Sequence, residues 1–249
     1  MSYTNIIERF ASARRGAGNT VLLEGLHACK HALRFGATLT EIYATDSVRV
    51  HDVLACLGAT DEARTIYERA VTIKDELFRR LATNAHRTGL VALADKPDTE
   101  HSNATLDHVR PVIYLENPRD TNNVGAVVRV AAAFGAAAVV VSGTTQPWHA
   151  HCVRTSAGLH FALPVLHNMP IERLAEGRML VACTDTGSSM YDAPPPSRSV
   201  LIFGSERYGV SQALLDRATT HVGIPMQPGV SSMNLATSVA AILYGGVHP

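Results

Sequence analysis

Residues 117 to 135, NPRDTNNVGAVVRVAAAFG, set a single arginine, Arg129, among small apolar side chains. An arginine on such a face has two uses. It pairs with an acidic residue across a packed helix face, or its planar, permanently charged fork anchors a phosphate or a reacting oxygen. At about 100° per residue, Val124, Val127, Val128, Ala131 and Phe134 share one stripe and Arg129 points away from it. Gly125 lies one turn before Arg129, and Ala126, Ala132 and Ala133 keep the adjoining surface small enough for close approach by a backbone or a ligand. Asn122 or Asn123 is the expected helix cap, its neighbour offering a second amide to the same cleft.

Two further stretches carry chemistry. FGSERYG, residues 203 to 209, follows the strand-like SVLI, and Gly204 there can expose peptide groups at a strand end, where open α/β sheets bind ligands. Glu206 either orients a ligand or Arg129, or is a solvated carboxylate on a turn. In IPMQPGVSSMNLA, residues 224 to 236, Pro225, Pro228 and Gly229 shape a loop that leads through Ser231, Ser232 and Asn234 into an apolar helix. Either serine alone reads as a helix cap. Together with Ile224 and Met233, which offer an apolar bed for an aromatic ring, the stretch has the mixture of a compact cofactor pocket.

Other chemistries lack support. No GxGxxG or GxSxG motif occurs, which removes the main signatures of dinucleotide binding and of an α/β-hydrolase nucleophile. His149, His151 and Cys152 in WHAHC have no convincing fourth ligand, so no metal is expected. In VRTSAG, Ser156 between Arg154 and Gly158 fits a phosphate or loop contact. His27 and His31 lie four apart on one helix face, open to solvent or RNA or packed in a core.

The elements that must position these residues follow from length and patterning. The chain has 249 residues, 46% of them apolar, enough for one large or two modest domains. No apolar run reaches the roughly 18 residues of a membrane span, and MSYTNIIERFASARR lacks a signal-peptide core, so a cytoplasmic protein off the membrane is expected. The four cysteines, Cys29, Cys56, Cys152 and Cys183, show no paired spacing. Net charge is zero, but 19 of the 22 basic residues are arginines, and the first 34 residues carry a local excess of three positive charges.

A polar, turn-rich stretch near residues 94 to 109 separates two patterned regions. Before it come a polar arm, a strand and helix in VLLEGLHACKHALRFG, a strand in LTEIYAT, a helical stretch in VTIKDELFRRLATNA and a strand in GLVALA. This is a small α/β domain over 1–95, with a linker at 96–110. Over 111–249 the uninterrupted apolar runs PVIYLE, AAAVVVS, MLVACT and SVLIFG predict a parallel sheet buried on both faces. Leu235, Val239, Ile242 and Leu243 form the stripe that docks a last helix on that sheet.

Taken in order, DTNNVGAVVRVAAAFG, LIFGSERYG and IPMQPGVSSMNLATSVAAIL resemble the three motifs of the SpoU/TrmH class of RNA ribose 2′-O-methyltransferases, in the SPOUT superfamily. VRTSAGLHFALPV is similar to the family's connecting segment, and LLEGLHACKHALRFG to the ribosomal-protein-like substrate-binding domain often attached to it. The resemblance implies an α/β fold whose carboxyl-terminal parallel sheet holds a deep trefoil knot, S-adenosylmethionine as cofactor, tRNA or rRNA as partner, and a homodimer.

It places Asn123 and Arg129 near the reacting ribose, with Glu206, Ser232 and Asn234 in the catalytic region. It places Gly204, Glu206, Gly209, Ile224 and Met233 around the cofactor. Arg14, Arg15, His27, Lys30, Arg34, Arg154 and Ser156 are the RNA-contact candidates. The chain has Ser232-Met233-Asn234 where SLN is commoner, and Ser231 where an acid is frequent. Base methylation by a related knotted enzyme and a catalytically silent RNA-binding or assembly factor are the alternatives.

Overall fold

The structure is a computed structural model and describes residues 3–45, 60–83, 88–98, 106 and 109–246. Cys56 and most of the expected 96–110 linker lie outside the described residues. Two compact units emerge, Met1–Pro97 with Trp148–Ala162, and Asp98–Pro147 with Leu163–Pro249.

The first unit is built on a mixed sheet. Strands β1 (Thr20–Glu24), β2 (Leu39–Ala44), β3 (Val71–Thr72) and β4 (Leu90–Asp95) lie in the order β1-β4-β2-β3, with β4 antiparallel to β1 and β2, and β3 parallel to β2. The expected polar arm is instead helix α1 (Tyr3–Arg14), because Ile6, Phe10 and Ala13 recur on one face and bury it. Helix α2 (Leu26–Arg34) follows β1, and α3 (Asp61–Arg69) is capped by Thr60, whose hydroxyl accepts the Ala63 N–H at 3.3 Å. Helix α4 (Asp75–Leu81) is shorter than the expected helical stretch, since Val71 and Thr72 pair with β2 first.

Residues 148 to 162, expected in the second domain, pack with the first unit. Trp148 is buried against His160 and Phe161, with ring centroids 5.1 and 5.7 Å away, and Lys96 lies 5.4 Å from the Trp148 ring centre. Ala150 joins the apolar cluster of Ile6 and Phe10. Gly158 packs directly on the Ala28 backbone, and His31 Nδ1 lies 2.8 Å from the Ala157 carbonyl. This segment therefore buries its apolar residues in the first unit.

The second unit holds six parallel strands in the order β10-β8-β9-β5-β6-β7. They are β5 (Val112–Leu115), β6 (Ala138–Val141), β7 (Val165–His167), β8 (Met179–Ser189), β9 (Ser199–Phe203) and β10 (Thr220–Gly223). Every residue of β5, β6 and β9 is buried, as expected where both faces are covered. The short β7 and β10 lack long apolar runs, and sequence pattern does not reveal them. Helix α5 (Thr121–Ala133) follows β5, and the carboxyl-terminal helix α6 (Leu235–Gly246) packs against α5 through its buried Leu235, Val239, Ile242 and Leu243. Phe134 departs from its expected stripe: it follows the last turn of α5 and is 46% exposed.

Candidate active site

From β5 the chain runs to β6 on one side of the sheet, while β9 flanks β5 on the other. Such a switch in direction opens a crevice at the strand carboxyl ends. Here a cleft of about 1070 Å³ is lined from four directions: by Asn123 beyond β5, the Cys183 to Thr186 stretch in the middle of β8, Gly204 beyond β9 and Ile224 beyond β10.

Gly204 and Gly209 shape the β9 exit. The loop between them folds back on itself, with the Ser205 N–H donating to the Gly209 carbonyl at 3.1 Å and the Gly209 N–H to the Ser205 carbonyl at 2.9 Å. A Cβ at Gly204 would collide with the Gly209 carbonyl and the Val210 nitrogen, so only glycine fits. Gly209 has φ 65°, in the left-handed region that glycine occupies without steric penalty. The hairpin carries Glu206 at its turn and aims it at the start of α5. The helix is capped by Asp120, whose carboxylate accepts the Asn122 N–H at 2.8 Å, correcting the expectation that Asn122 or Asn123 caps it.

Asn123 is thereby free to join the three motifs. Its amide nitrogen donates to Glu206 Oε1 at 2.9 Å, and its Oδ1 accepts from Asn234 Nδ2 at 2.9 Å. Asn234 in turn caps α6, its Oδ1 accepting the Ala236 and Thr237 N–H groups at 3.0 and 3.4 Å. Asn234 thus takes the capping role expected of Ser231 or Ser232. Glu206 also accepts the backbone N–H groups of Arg119 and Asp120 at 3.2 and 3.4 Å. Burial pushes its carboxyl up, but the Asn123 amide and the backbone donors at Glu206, Arg119 and Asp120 outweigh burial and hold it below the ordinary value. Glu206 is a fixed anion that organises the junction and a weak proton acceptor.

Asn123, Gly204, Glu206, Gly209, Ile224, Ser232, Met233 and Asn234 all line this cleft, and Arg129 does not. Arg129 is exposed, and among the described residues it has no ion pair or hydrogen bond, so its place on the helix is not explained by an acidic partner. Sequence reasoning missed Thr184, which lines the cleft with a buried Oγ1 that has no hydrogen-bond partner among the described residues. It also missed Tyr208 and His221. The strand MLVACT was legible, but nothing in its pattern marked its carboxyl end. Cys183 is half-buried, and desolvation pushes its thiol up.

The RNA-contact candidates separate. Ser156 is 0% exposed, its hydroxyl donating to the Val153 carbonyl at 2.9 Å and lying 2.7 Å from His160 Nδ1, so it cannot meet RNA. Arg14 is held inside the first unit, donating to the carbonyls of Arg80, Leu81 and Ala82 at the end of α4. Arg15 and His27 are exposed, Lys30 and Arg154 are half-buried, and Arg34 is exposed but paired with Glu62 at 3.1 Å. His149, from the WHAHC cluster, caps the short helix Ala150–Thr155.

Comparison with known proteins agrees with this geometry. The model of the SpoU rRNA Methylase family matches residues 110–244. The 23S rRNA (guanosine(2553)-2′-O)-methyltransferase RlmP of Bacillus subtilis (strain 168) is 27% identical over 232 residues, covering 91% of this chain and 88% of that protein. The 23S rRNA (adenosine(1067)-2′-O)-methyltransferase of Streptomyces laurentii is 30% identical over 242 residues, covering 92% and 86%. A solved RNA 2′-O ribose methyltransferase aligns with TM-score 0.74 at 26% identity, over 98% of this chain and 94% of that one. AviRb from Streptomyces viridochromogenes, solved in complex with AdoMet, shares the fold with TM-score 0.80 at 20% identity, over 96% of each chain.

Proposed function

This chain belongs to the SpoU rRNA methylase family, and from that premise we propose that it transfers a methyl group from S-adenosylmethionine to a ribose 2′-hydroxyl of tRNA or rRNA. The observation that carries the reading is the junction of Glu206, Asn123 and Asn234, which ties three distant motifs together at one cleft.

The cleft fits the cofactor. It combines Ile224, Met233 and Leu235 with peptide groups left accessible beside Gly204, and the unpartnered Thr184 Oγ1 offers a buried hydroxyl to a polar ligand atom. When bound, S-adenosylmethionine supplies an electrophilic methyl group on a positively charged sulfur. The protein's task is then positioning, because an in-line approach of oxygen to methyl carbon converts a slow encounter into an effectively intramolecular step.

Asn123 and Asn234 hold the acceptor side of the cleft without taking a proton, and Glu206 fixes Asn123 in place. Arg129, on the exposed face of α5 outside the cleft lining, serves electrostatically, its guanidinium holding the RNA phosphate next to the ribose and stabilising charge that develops on the 2′ oxygen. The adjacent phosphate, rather than a side chain, accepts the leaving proton. Among the described residues Arg129 has no partner on α5, which supports this role.

Three parts of the reading extend it. The all-parallel sheet carries a deep trefoil knot at its carboxyl end, supported by the return of the chain after β10 to pack α6 on α5. The protein works as a homodimer, supported by the neighbouring Phe134 and Tyr244 rings, 6.3 Å apart and 46% and 68% exposed. The first unit presents RNA, supported by the exposed His27 and Arg34 along one face of α2.

The test is transfer of labelled methyl from S-adenosylmethionine to unmodified RNA, followed by nucleoside analysis, with Arg129→Ala alongside. A labelled 2′-O-methyl nucleoside is expected, with transfer by Arg129→Ala reduced about 10² to 10³ fold, the range for loss of one electrostatic group, and cofactor affinity little changed. A label on a base, or RNA binding with neither cofactor binding nor transfer, contradicts the proposal.

A further inference from the structure

We propose that Tyr208, flanked by Arg119 and Arg207, is a platform on which a nucleobase of single-stranded RNA stacks beside the target ribose, the two guanidiniums holding the adjoining phosphates. This rests on the reading of the chain as an RNA methyltransferase and names how its substrate is gripped.

Tyr208 is 68% exposed, although it stands in a loop whose backbone is closed on both sides. Besides the paired bonds between Ser205 and Gly209, the Tyr208 N–H donates to Ser205 Oγ at 3.3 Å. The backbone is thus held while the ring projects outward, so little conformational freedom is lost when something stacks on it. Arg207 lies 5.3 Å and Arg119 6.0 Å from the ring centre, within cation–π range.

Two arginines beside one exposed ring normally draw in nearby acids, and here they do not. Glu206, between Arg207 and Ser205 in sequence, is turned to Asn123 and to the Arg119 and Asp120 backbone. The Asp120 carboxylate is committed to Asn122 at the helix cap. Neither guanidinium has an acidic partner among the described residues. A flat π surface with two unneutralised planar cations matches a nucleotide, whose base stacks on aromatic side chains and whose phosphate takes the charge. Arg207 and Tyr208 line the same cleft as Asn123 and Asn234, so the stacked base is a neighbour of the reacting nucleotide.

The test measures binding of unmodified, in vitro transcribed tRNA and 23S rRNA and, separately, of S-adenosylmethionine by the wild type, Tyr208→Ala and Tyr208→Phe. Tyr208→Ala is expected to weaken RNA binding about tenfold, in the range for loss of one stacked base, with cofactor affinity unchanged and Tyr208→Phe close to wild type. Arg119→Gln and Arg207→Gln should each reduce the slope of log affinity against log salt by roughly 0.7.

RNA binding by Tyr208→Ala within twofold of wild type overturns the platform. An equal loss of cofactor affinity also overturns it, by placing the ring in the cofactor pocket. So does a change in sedimentation with RNA affinity intact, which would make the ring a protein contact. If the wild type transfers no methyl yet Tyr208→Ala still loses RNA affinity, the platform stands and the methyltransferase reading falls.

Discussion

Glu206 lies on an exposed turn, where a carboxylate is ordinarily solvated, yet it collects the Asn123 amide and two backbone N–H groups at the start of a 13-residue helix. The helix dipole favours an anion at that end. Because these donors hold the folded carboxyl below its reference value of 4.5, its contribution to stability is complete above that pH and is lost as pH falls through the depressed folded value. Comparing thermal midpoints of the wild type and Glu206→Gln from pH 7 to pH 3 checks the sign. The gap should be constant down to about pH 5 and close below it; a gap of constant size to pH 3 would remove the carboxylate's role. At this scale the sequence is legible in residue identity but silent on direction. Glu206 reads equally well as a solvated charge until its partners, 83 to 87 positions away in the chain, are known. Ser156 misleads for the complementary reason: a hydroxyl between Arg154 and Gly158 looks accessible, and only the packing around His160 shows that it is buried.

The β9 exit loop shows what an element requires that a residue list does not. Gly204 and Gly209 frame one hairpin but are irreplaceable to different degrees. At Gly209 a Cβ meets nothing within 4 Å, so Gly209→Ala faces only its positive φ, about 1 to 2 kcal/mol. At Gly204 the same methyl group collides with backbone on the opposite side of the hairpin, which must open. Gly204→Ala is therefore expected to abolish measurable cofactor binding in calorimetry, while Gly209→Ala keeps it with a modest loss of thermal stability; the reverse order would contradict the close approach. Sequence periodicity reveals α5, α6 and the buried strands because each has a long apolar pattern. It misses α1, whose three buried residues are diluted by charged neighbours, and β10, with only four residues and half of them buried.

At the scale of the molecule, three motifs separated by some 30 to 80 residues each supply one part of a single cleft, β8 supplies a further wall, and the parallel sheet brings them together at its strand carboxyl ends. That convergence is legible from sequence because the three motifs stand in order after recognisable strands. The boundary between units is less so. The chain leaves the second unit after Pro147 and returns at Leu163, and no composition shift marks the excursion, since Trp148 and Phe161 are as plausible in one core as in another. The role proposed for the joined motifs is to act on the ribose. It is tested most directly by the single-turnover rate of methyl transfer to unmodified RNA by the wild type and Asn123→Ala, with cofactor affinity measured in parallel. Loss of the amide that links Glu206 to Asn234 should slow transfer about 10² fold while cofactor affinity stays within a few fold, as misplacement near the reacting atoms does. An unchanged rate, or a loss confined to cofactor binding, would show that the junction only supports the pocket.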